Sequence, residues 1–426
     1  MAADWIECTL ADACSSIDYG LTDSAVDQKV GPKFLRITDI VSGYIDWNSV
    51  PYVAADPETA TKYRLHDGDI VLARTGASTG ASAYVKSPPE SVFASYLVRL
   101  KTKPEFDSRF VGYYLKSELF WTFIRGVLGD KSAQPNASAS TMTKAPFRAP
   151  KDTNKQRAIA YILGTLDDKI ELNRRMNETL EKMALALFKS WFVDFDPVRA
   201  KAEGRDPRLP KVLANLFPDS LEDSELGEIP SGWRVGELQE LASVSMGLSP
   251  AGESYNANGV GTPLINGPVE FGEYFSTKSK WTTAPTRMAE AGDLIFCVRG
   301  STTGRRVVAD DAYCLGRGVC ALHPRTVSRA FLYQLINVEL NRLLSKTTGS
   351  VFPSLSAPDI KKFPVIIPSP EASAAFGRFA QPLTERVEAN VTASNILAAL
   401  RDTFLPKLIS GELRVKAAEQ QVEAAL

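Results

Sequence analysis

The residues with the most chemistry to offer come in two matched sets. Gly68-Asp69-Ile70-Val71-Leu72-Ala73-Arg74-Thr75-Gly76-Ala77-Ser78-Thr79-Gly80 aligns without gaps on Gly292-Asp293-Leu294-Ile295-Phe296-Cys297-Val298-Arg299-Gly300-Ser301-Thr302-Thr303-Gly304. Each copy reads as a turn at Gly-Asp, a buried strand, and a loop rich in Gly, Ser and Thr. Arg74, Thr75, Ser78 and Thr79 in the first loop, with Arg299, Ser301, Thr302, Arg305 and Arg306 in the second, suit a nucleic acid. Glycine lets the main chain approach a phosphate, hydroxyls bond phosphates or base edges, and Arg contacts guanine in bidentate fashion. A plain β-turn is the alternative reading of the same composition. A second matched loop holds Lys131, Ser132 and Gln134 in one half and Lys346, Ser350 and Phe352 in the other. Gln suits adenine, while Phe352 suits a thymine methyl, a wedge beside a base, or simple packing. A third pair, Tyr19 to Thr22 and Met246 to Ser249, holds Gly-Leu followed by a hydroxyl residue, with Lys33, Arg36 and Asn266 following nearby.

Catalytic constellations do not emerge from the same reading. The Gly-rich loops lack the Lys-Ser/Thr ending of a phosphate-binding P-loop. The two histidines, His66 and His323, have no metal-ligand spacing around them, and the five cysteines form no CxxC pair. Neither an Asp/Asn-Pro-Pro-aromatic tetrapeptide nor a Gly-rich cofactor loop after a first strand is found. Asp167-Asp168 lies in a helical pattern and Asp310-Asp311 reads as a solvated turn. The chain is therefore expected to be non-catalytic, without a metal or cofactor of its own. Hydrophobic residues at 44% and charged residues at 23% describe an ordinary globular chain, with no apolar run near the ~18 residues of a membrane helix and no secretory signal, so the cytoplasm is the expected compartment. The formal net charge of -1 sits awkwardly with a nucleic-acid binder, since Lys and Arg supply most non-specific affinity. Basic residues concentrated on one face, or phosphate contacts from a partner, would reconcile the two. The alternative is a protein-binding adaptor with two repeated recognition modules.

What must position these loops is an internal repeat. Trp5 and Trp233 open similar segments, the Gly-Asp elements follow, short apolar helices run from Phe110 to Phe123 and from Phe331 to Leu344, and Pro150 and Pro368 close each mixed α/β module. A long helix succeeds each module. Core heptad positions fall on Ile159, Ile162, Leu166, Lys169, Asn173, Met176, Leu180, Met183 and Leu187, and with identical spacing on Phe376, Phe379, Leu383, Arg386, Asn390, Ala393, Leu397, Leu400 and Phe404. A buried Asn in such a seam fixes register and partner choice at some cost in stability, so Asn173 and Asn390 are the expected pairing residues. Shared irregularities of this kind predict that the helices pair, antiparallel, as an intramolecular coiled coil; packing of each on its own module is the alternative. Pro382 predicts a kink or a late start of the second helix. The architecture expected is α+β with a pseudo-two-fold internal repeat: modules over 1–152 and 232–370, long helices over 153–195 and 371–413, an extended connector over 196–231, and a tail over 414–426.

Two similar modules carried on stiff helices suit a DNA sequence split into two parts. The chain also resembles the specificity (S) subunits of Type I restriction and modification systems, the HsdS family, over nearly its whole length. The most specific stretch is Leu187-Phe188-Lys189-Ser190-Trp191-Phe192-Val193-Asp194-Phe195-Asp196-Pro197-Val198-Arg199-Ala200-Lys201, similar to the segment closing that family's first conserved helix. Phe404-Leu405-Pro406-Lys407-Leu408-Ile409-Ser410-Gly411-Glu412-Leu413 resembles the ending of the second. The resemblance implies that each module is a target-recognition domain reading one half of a bipartite double-stranded DNA site, while the helices set the spacer and bind two methyltransferase (modification) subunits. It further implies motor-nuclease (restriction) subunits, with S-adenosylmethionine, ATP and Mg held by those partners. The Ala-rich stretch around Phe376 departs from the Gln156-Arg157-Ala158-Ile159 start of the first helix, so the two-fold symmetry is expected to be imperfect.

Overall fold

The computed structural model describes residues 4–41, 43–128, 136–346 and 353–423. They form two compact units, Met1–Leu172 together with Ala393–Leu426, and Asn173–Thr392. Among the described residues no helix is long and apolar enough to cross a membrane.

The first unit is built on an antiparallel sheet whose strands run, in order, Cys14–Tyr19, Leu97–Thr102, Ile70–Ala73 and Ser82–Tyr84. Ile70–Ala73 is buried along its whole length, as a short apolar run flanked by turn residues should be. Lys33–Leu35 pairs in parallel with Ser91–Phe93, and Trp5–Thr9 pairs with Pro146–Pro150, the strand that leads into the first long helix. Asp107 begins the neighbouring helix, its carboxylate accepting the Phe110 N–H at 2.9 Å. The apolar stretch expected as one helix is two, Ser108–Lys116 and Glu118–Leu128. Ser117 is extended at the break, and its hydroxyl donates to Tyr114 O at 2.6 Å, which satisfies a carbonyl the helix leaves open.

The second unit repeats this plan. Its four-stranded sheet runs Ala242–Met246, Val319–Pro324, Leu294–Cys297 and Arg306–Val308, again antiparallel. Thr262–Ile265 pairs in parallel with Tyr313–Leu315, and Arg234–Glu237 pairs with Pro364–Ile367. Here the corresponding helix, Arg329–Leu344, is unbroken and is capped by Ser328. The segment 196–231, expected as an extended connector, is instead folded. It holds the helices Asp196–Ala202 and Lys211–Ala214 and a hairpin of Leu221–Ser224 with Gly227–Pro230. Val198, Phe217 and Ile229 are buried, and the Lys201 ammonium donates to Phe217 O at 2.5 Å and Ala214 O at 3.1 Å. Its Pro and charged residues imitate a linker in composition, but scattered large apolar residues anchor it.

The long helices span Thr153–Phe192 and Pro370–Ser410, and each contributes to both units. The second is continuous through Pro382, which is exposed, so no late start occurs. In the second unit the pairing is antiparallel: Asn173 and Asn177 meet Asn390, while Phe188 and Phe376 meet with ring centroids 5.5 Å apart. Asn173 Nδ2 donates to Asn390 O at 3.4 Å, and Asn390 Nδ2 donates to Asn177 Oδ1 at 2.8 Å. Two seam positions are corrected. Met183 and Phe379 are about half exposed, and the adjacent Ala184 and Ala380 are buried in their place. A straight helix drifts from a strict seven-residue repeat, and the aromatic cluster pulls the buried face round by one position.

In the first unit Leu397, Phe404, Leu405, Leu408 and Ile409 share one core with Leu10, Phe110, Phe147, Ile159, Leu163 and Leu166. The helix Val415–Glu423 adds buried Ala418 and Val422 to it. Asp167 is held there by the Arg401 guanidinium at 2.7 Å, the Tyr113 hydroxyl at 2.7 Å and Lys116 at 3.6 Å. Burial opposes its charge, but these three partners outweigh burial and hold the carboxyl below the usual carboxylate range.

Two outcomes follow. Phe404→Ala should destabilise the first unit by about 3–5 kcal/mol, read as lost hydrogen-exchange protection in strand Ile70–Ala73 and helix Ser108–Lys116, far away in sequence. Because the folded Asp167 carboxyl titrates below its unfolded value, its stabilisation is complete above pH ~4 and disappears as pH falls further. The stability gap between wild type and Asp167→Asn, measured by denaturant titration, should therefore hold steady from neutrality down to pH ~4 and shrink as the pH falls below that.

Candidate nucleic-acid interface

The two Gly-rich loops are hairpin connections with the same bonds at equivalent positions. Gly80 N–H donates to Ala73 O and Gly304 N–H to Cys297 O, both at 2.9 Å. Thr79 Oγ1 donates to Gly76 O at 2.8 Å, and Thr303 Oγ1 to Gly300 O at 2.7 Å. Gly76 and Gly300 have φ of 74° and 85°, the left-handed region that side chains avoid. The loop thus needs its glycines and its second threonine for shape. Thr79 is buried, so it closes the turn and does not face a ligand.

Three further segments converge on each loop. Arg74 N–H donates to Tyr96 O at 3.1 Å, as Val298 N–H does to Gly318 O at 2.9 Å. Ala137 N–H donates to Arg74 O, and Leu355 N–H to Val298 O, at 3.0 and 2.9 Å. Leu21 N–H and Leu248 N–H donate to Phe93 O and Leu315 O at 2.8 Å. The last pair explains the Gly-Leu-hydroxyl repeat. A Cβ on Gly20 would overlap Ala94 O, and one on Gly247 would overlap Gly316 O, so two backbones cross where no side chain fits. Segments 19–22, 74–80, 94–96 and 136–138 therefore meet at one end of the first sheet, and 246–249, 298–304, 316–318 and 354–356 at one end of the second.

On this common frame the exposed side chains differ. In the first unit Arg74 lies 5.0 Å from the Tyr19 ring, with its buried Nε lacking a partner among the described residues, and Thr75 and Ser78 are half-buried beside exposed Tyr96 and Asn136. In the second unit Arg299, Ser301 and Arg317 are exposed and Thr302 is half-buried. Asn266 abuts Gly316 and Gly318, so it joins this edge. Arg36 occupies the equivalent place in the first unit, one residue past Leu35, whose carbonyl accepts the Ala94 N–H at 2.9 Å; its guanidinium forks onto Asp39 at 2.9 and 3.1 Å.

Other candidates are engaged elsewhere. The Lys33 ammonium donates to Val50 O at 2.6 Å and lies 4.1 Å from the Tyr52 ring, which ties down the segment 50–52. Arg306 turns toward the helix Arg329–Leu344, bonding Asn337 Oδ1 and lying 6.0 Å from the Tyr333 ring. Exposed Arg305 donates to Phe271 O at 3.3 Å. Lys346 is exposed, while Lys131, Ser132, Gln134, Ser350 and Phe352 lie outside the described residues. Tyr96 and Arg317 were missed because matching the halves highlights what they share, whereas these two positions align with Gly318 and Ser95.

The Gly-Asp turns shared by the two halves serve the frame as well. Asp69 accepts the His66 N–H at 2.9 Å, Asp293 accepts the Glu290 N–H at 2.8 Å, and burial pushes both carboxyls up. His323 Nδ1 lies 2.7 Å from Asp293. Asp167 and Asp168 serve the helix packing, with Asp168 held by Lys86 and Arg109 at 2.9 Å each. Asp310 accepts the Tyr313 hydroxyl at 2.5 Å and Asp311 pairs with Lys278 at 2.7 Å. Among the described residues no group of three or more His, Cys, Asp or Glu is placed to hold a metal ion.

If the backbone crossing sets the frame, Gly247→Ala should destabilise the second unit by roughly 2 kcal/mol or more. Gly252→Ala, where a Cβ meets open space, should stay within about 0.5 kcal/mol of wild type. Equilibrium denaturation of the two variants distinguishes a packed crossing from a tolerant loop.

The repeat seen in the bonding pattern is met again in the comparison with known families. The model of the Type I restriction modification DNA specificity domain matches residues 4–182 and 230–393. The type I restriction enzyme MjaIX specificity subunit of Methanocaldococcus jannaschii is 27% identical over 322 residues, covering 72% of this chain and 70% of that protein. The type I restriction enzyme HindI specificity subunit of Haemophilus influenzae is 23% identical, covering 96% of this chain and all (100%) of that protein. In fold, the chain is similar to the Type-I restriction-modification system S subunit from M. genitalium, with a TM-score of 0.58 at 17% identity over 95% of this chain and 96% of the other. With the domain matched twice over most of its length, the chain belongs to the Type I restriction-modification specificity subunit family.

Proposed function

We propose that this chain is the DNA-reading specificity subunit of a Type I restriction-modification complex, each unit reading one half of a bipartite double-stranded site. The observation that carries this reading is the pair of equivalent hydrogen-bonded edges that display different side chains. A shared frame presents each edge to DNA in the same manner, while Arg74, Thr75, Tyr96 and Asn136 on one, and Arg299, Ser301 and Arg317 on the other, would select different bases. The long helices each contribute to both units, so in this reading the spacer between half-sites would depend on them. Two methyltransferase subunits dock on them in this reading, and motor-nuclease subunits join that core. S-adenosylmethionine, ATP and Mg belong to those partners, and this chain supplies no catalytic group. The formal net charge of -1 makes partner-supplied phosphate contacts part of the proposal.

The test is to co-express the chain with its modification subunit and map methylated adenines on host DNA by single-molecule sequencing. The expected result is a two-part sequence with a fixed gap, altered on one side only when residues 1–152 are exchanged for those of a relative. A stable, active complex that marks no split sequence would overturn the proposal.

A further inference from the structure

We infer that Arg317 reads a guanine in the half-site of the second unit; the inference rests on the DNA-reading function just proposed and adds a base and a residue to it. Arg317 is the one residue of Gly316-Arg317-Gly318 with a side chain to present, and it is exposed. Its backbone has no freedom to move aside. A Cβ on Gly316 would overlap Asn266 Oδ1, one on Gly318 would overlap Asn266 O, and one on Gly247 would overlap Gly316 O. The Arg317 N–H donates to Ser249 Oγ at 3.1 Å, and Gly318 O accepts the Val298 N–H at 2.9 Å. All three strands of backbone around it are thus in contact, so the guanidinium leaves a rigid mount. Its head makes no hydrogen bond or ion pair with another described residue, unlike Lys33, Arg36, Arg305 and Arg306.

A free guanidinium on a fixed base, at an edge framed by backbone, is the arrangement that bidentate recognition of guanine O6 and N7 requires. Phosphate binding would need only a charge, and a flexible lysine would serve. The equivalent position in the first unit is Ser95, so the two halves should differ at the corresponding base.

The experiment uses the complex with its modification subunits and duplexes carrying the methylated sequence, with each guanine of the second half-site replaced in turn by 7-deazaguanine, which lacks the N7 acceptor. For wild type, one replacement should weaken binding on the order of 10-fold. Arg317→Ala should lose on the order of 10- to 100-fold on the native duplex and be indifferent to that same replacement, and Arg317→Lys, which keeps the charge but not the planar fork, should bind the native duplex more weakly than wild type with reduced sensitivity to the replacement. Equal loss on all sequences would make Arg317 a phosphate contact and overturn the inference. So would unchanged 7-deazaguanine sensitivity in the variants, or a second half-site without guanine. These outcomes leave a split sequence in place for wild type, whereas absence of any split sequence removes the broader function as well.

Discussion

Burial of Phe404, Leu405, Leu408 and Ile409 against Ile159, Leu163 and Leu166 is the interaction on which the first unit depends, and it joins residues more than two hundred positions apart. The second unit has the reciprocal dependence. Phe188, Trp191 and Phe192 of the first long helix pack with Trp233, Phe331 and Phe376, with Phe192 and Phe331 centroids 5.0 Å apart. Each half of the repeat therefore completes its core with helix from the other half. The long helices are not rods appended to finished domains; they are core elements, and their apolar faces explain why neither unit is contiguous in sequence.

Apolar faces alone would allow the helices to slip along one another by whole turns, and polar groups within the seam remove that freedom. Asn173, Asn177 and Asn390 satisfy one another only in one register, and a slip would bury their amides without partners. In the first unit Asp167 and Arg401 do the same with charge, at a higher penalty for misalignment. Lys116 and Tyr113 then bring the module's own helix to the same carboxylate. One acid thereby fixes three elements of that unit at once.

The same division of labour governs the candidate interface. Glycines at the crossings, threonines at the turns and buried aspartates before the strands make a frame whose main bonds both units repeat. Residues that project from it are few and differ between the units. A protein can alter what such an edge selects without disturbing the fold, because exposed side chains such as Arg317 and Tyr96 carry none of the packing. Positions that look alike in the two halves are consequently the poorest guides to what each half selects.

Much of this was legible in the residues themselves. Repeated spacing placed the strand-loop elements, the long helices and Asn173 with Asn390, since periodicity and turn chemistry are local properties that survive folding unchanged. The sequence by itself determined that the chain holds two related modules, where the long helices run, and where the loops lie. Tertiary structure alone decided which loop residues meet. The convergence of 74–80 with 94–96 and 136–138 comes from main-chain bonds between distant segments, and residue type does not encode those. It also decided that Lys33 and Arg306 are engaged internally, that 196–231 packs as part of a core, and that Met183 and Phe379 leave the seam. The physical reason is common to all of these: a side chain's role depends on the partners that folding brings to it, and a linear pattern specifies faces and turns but not the neighbours those faces acquire.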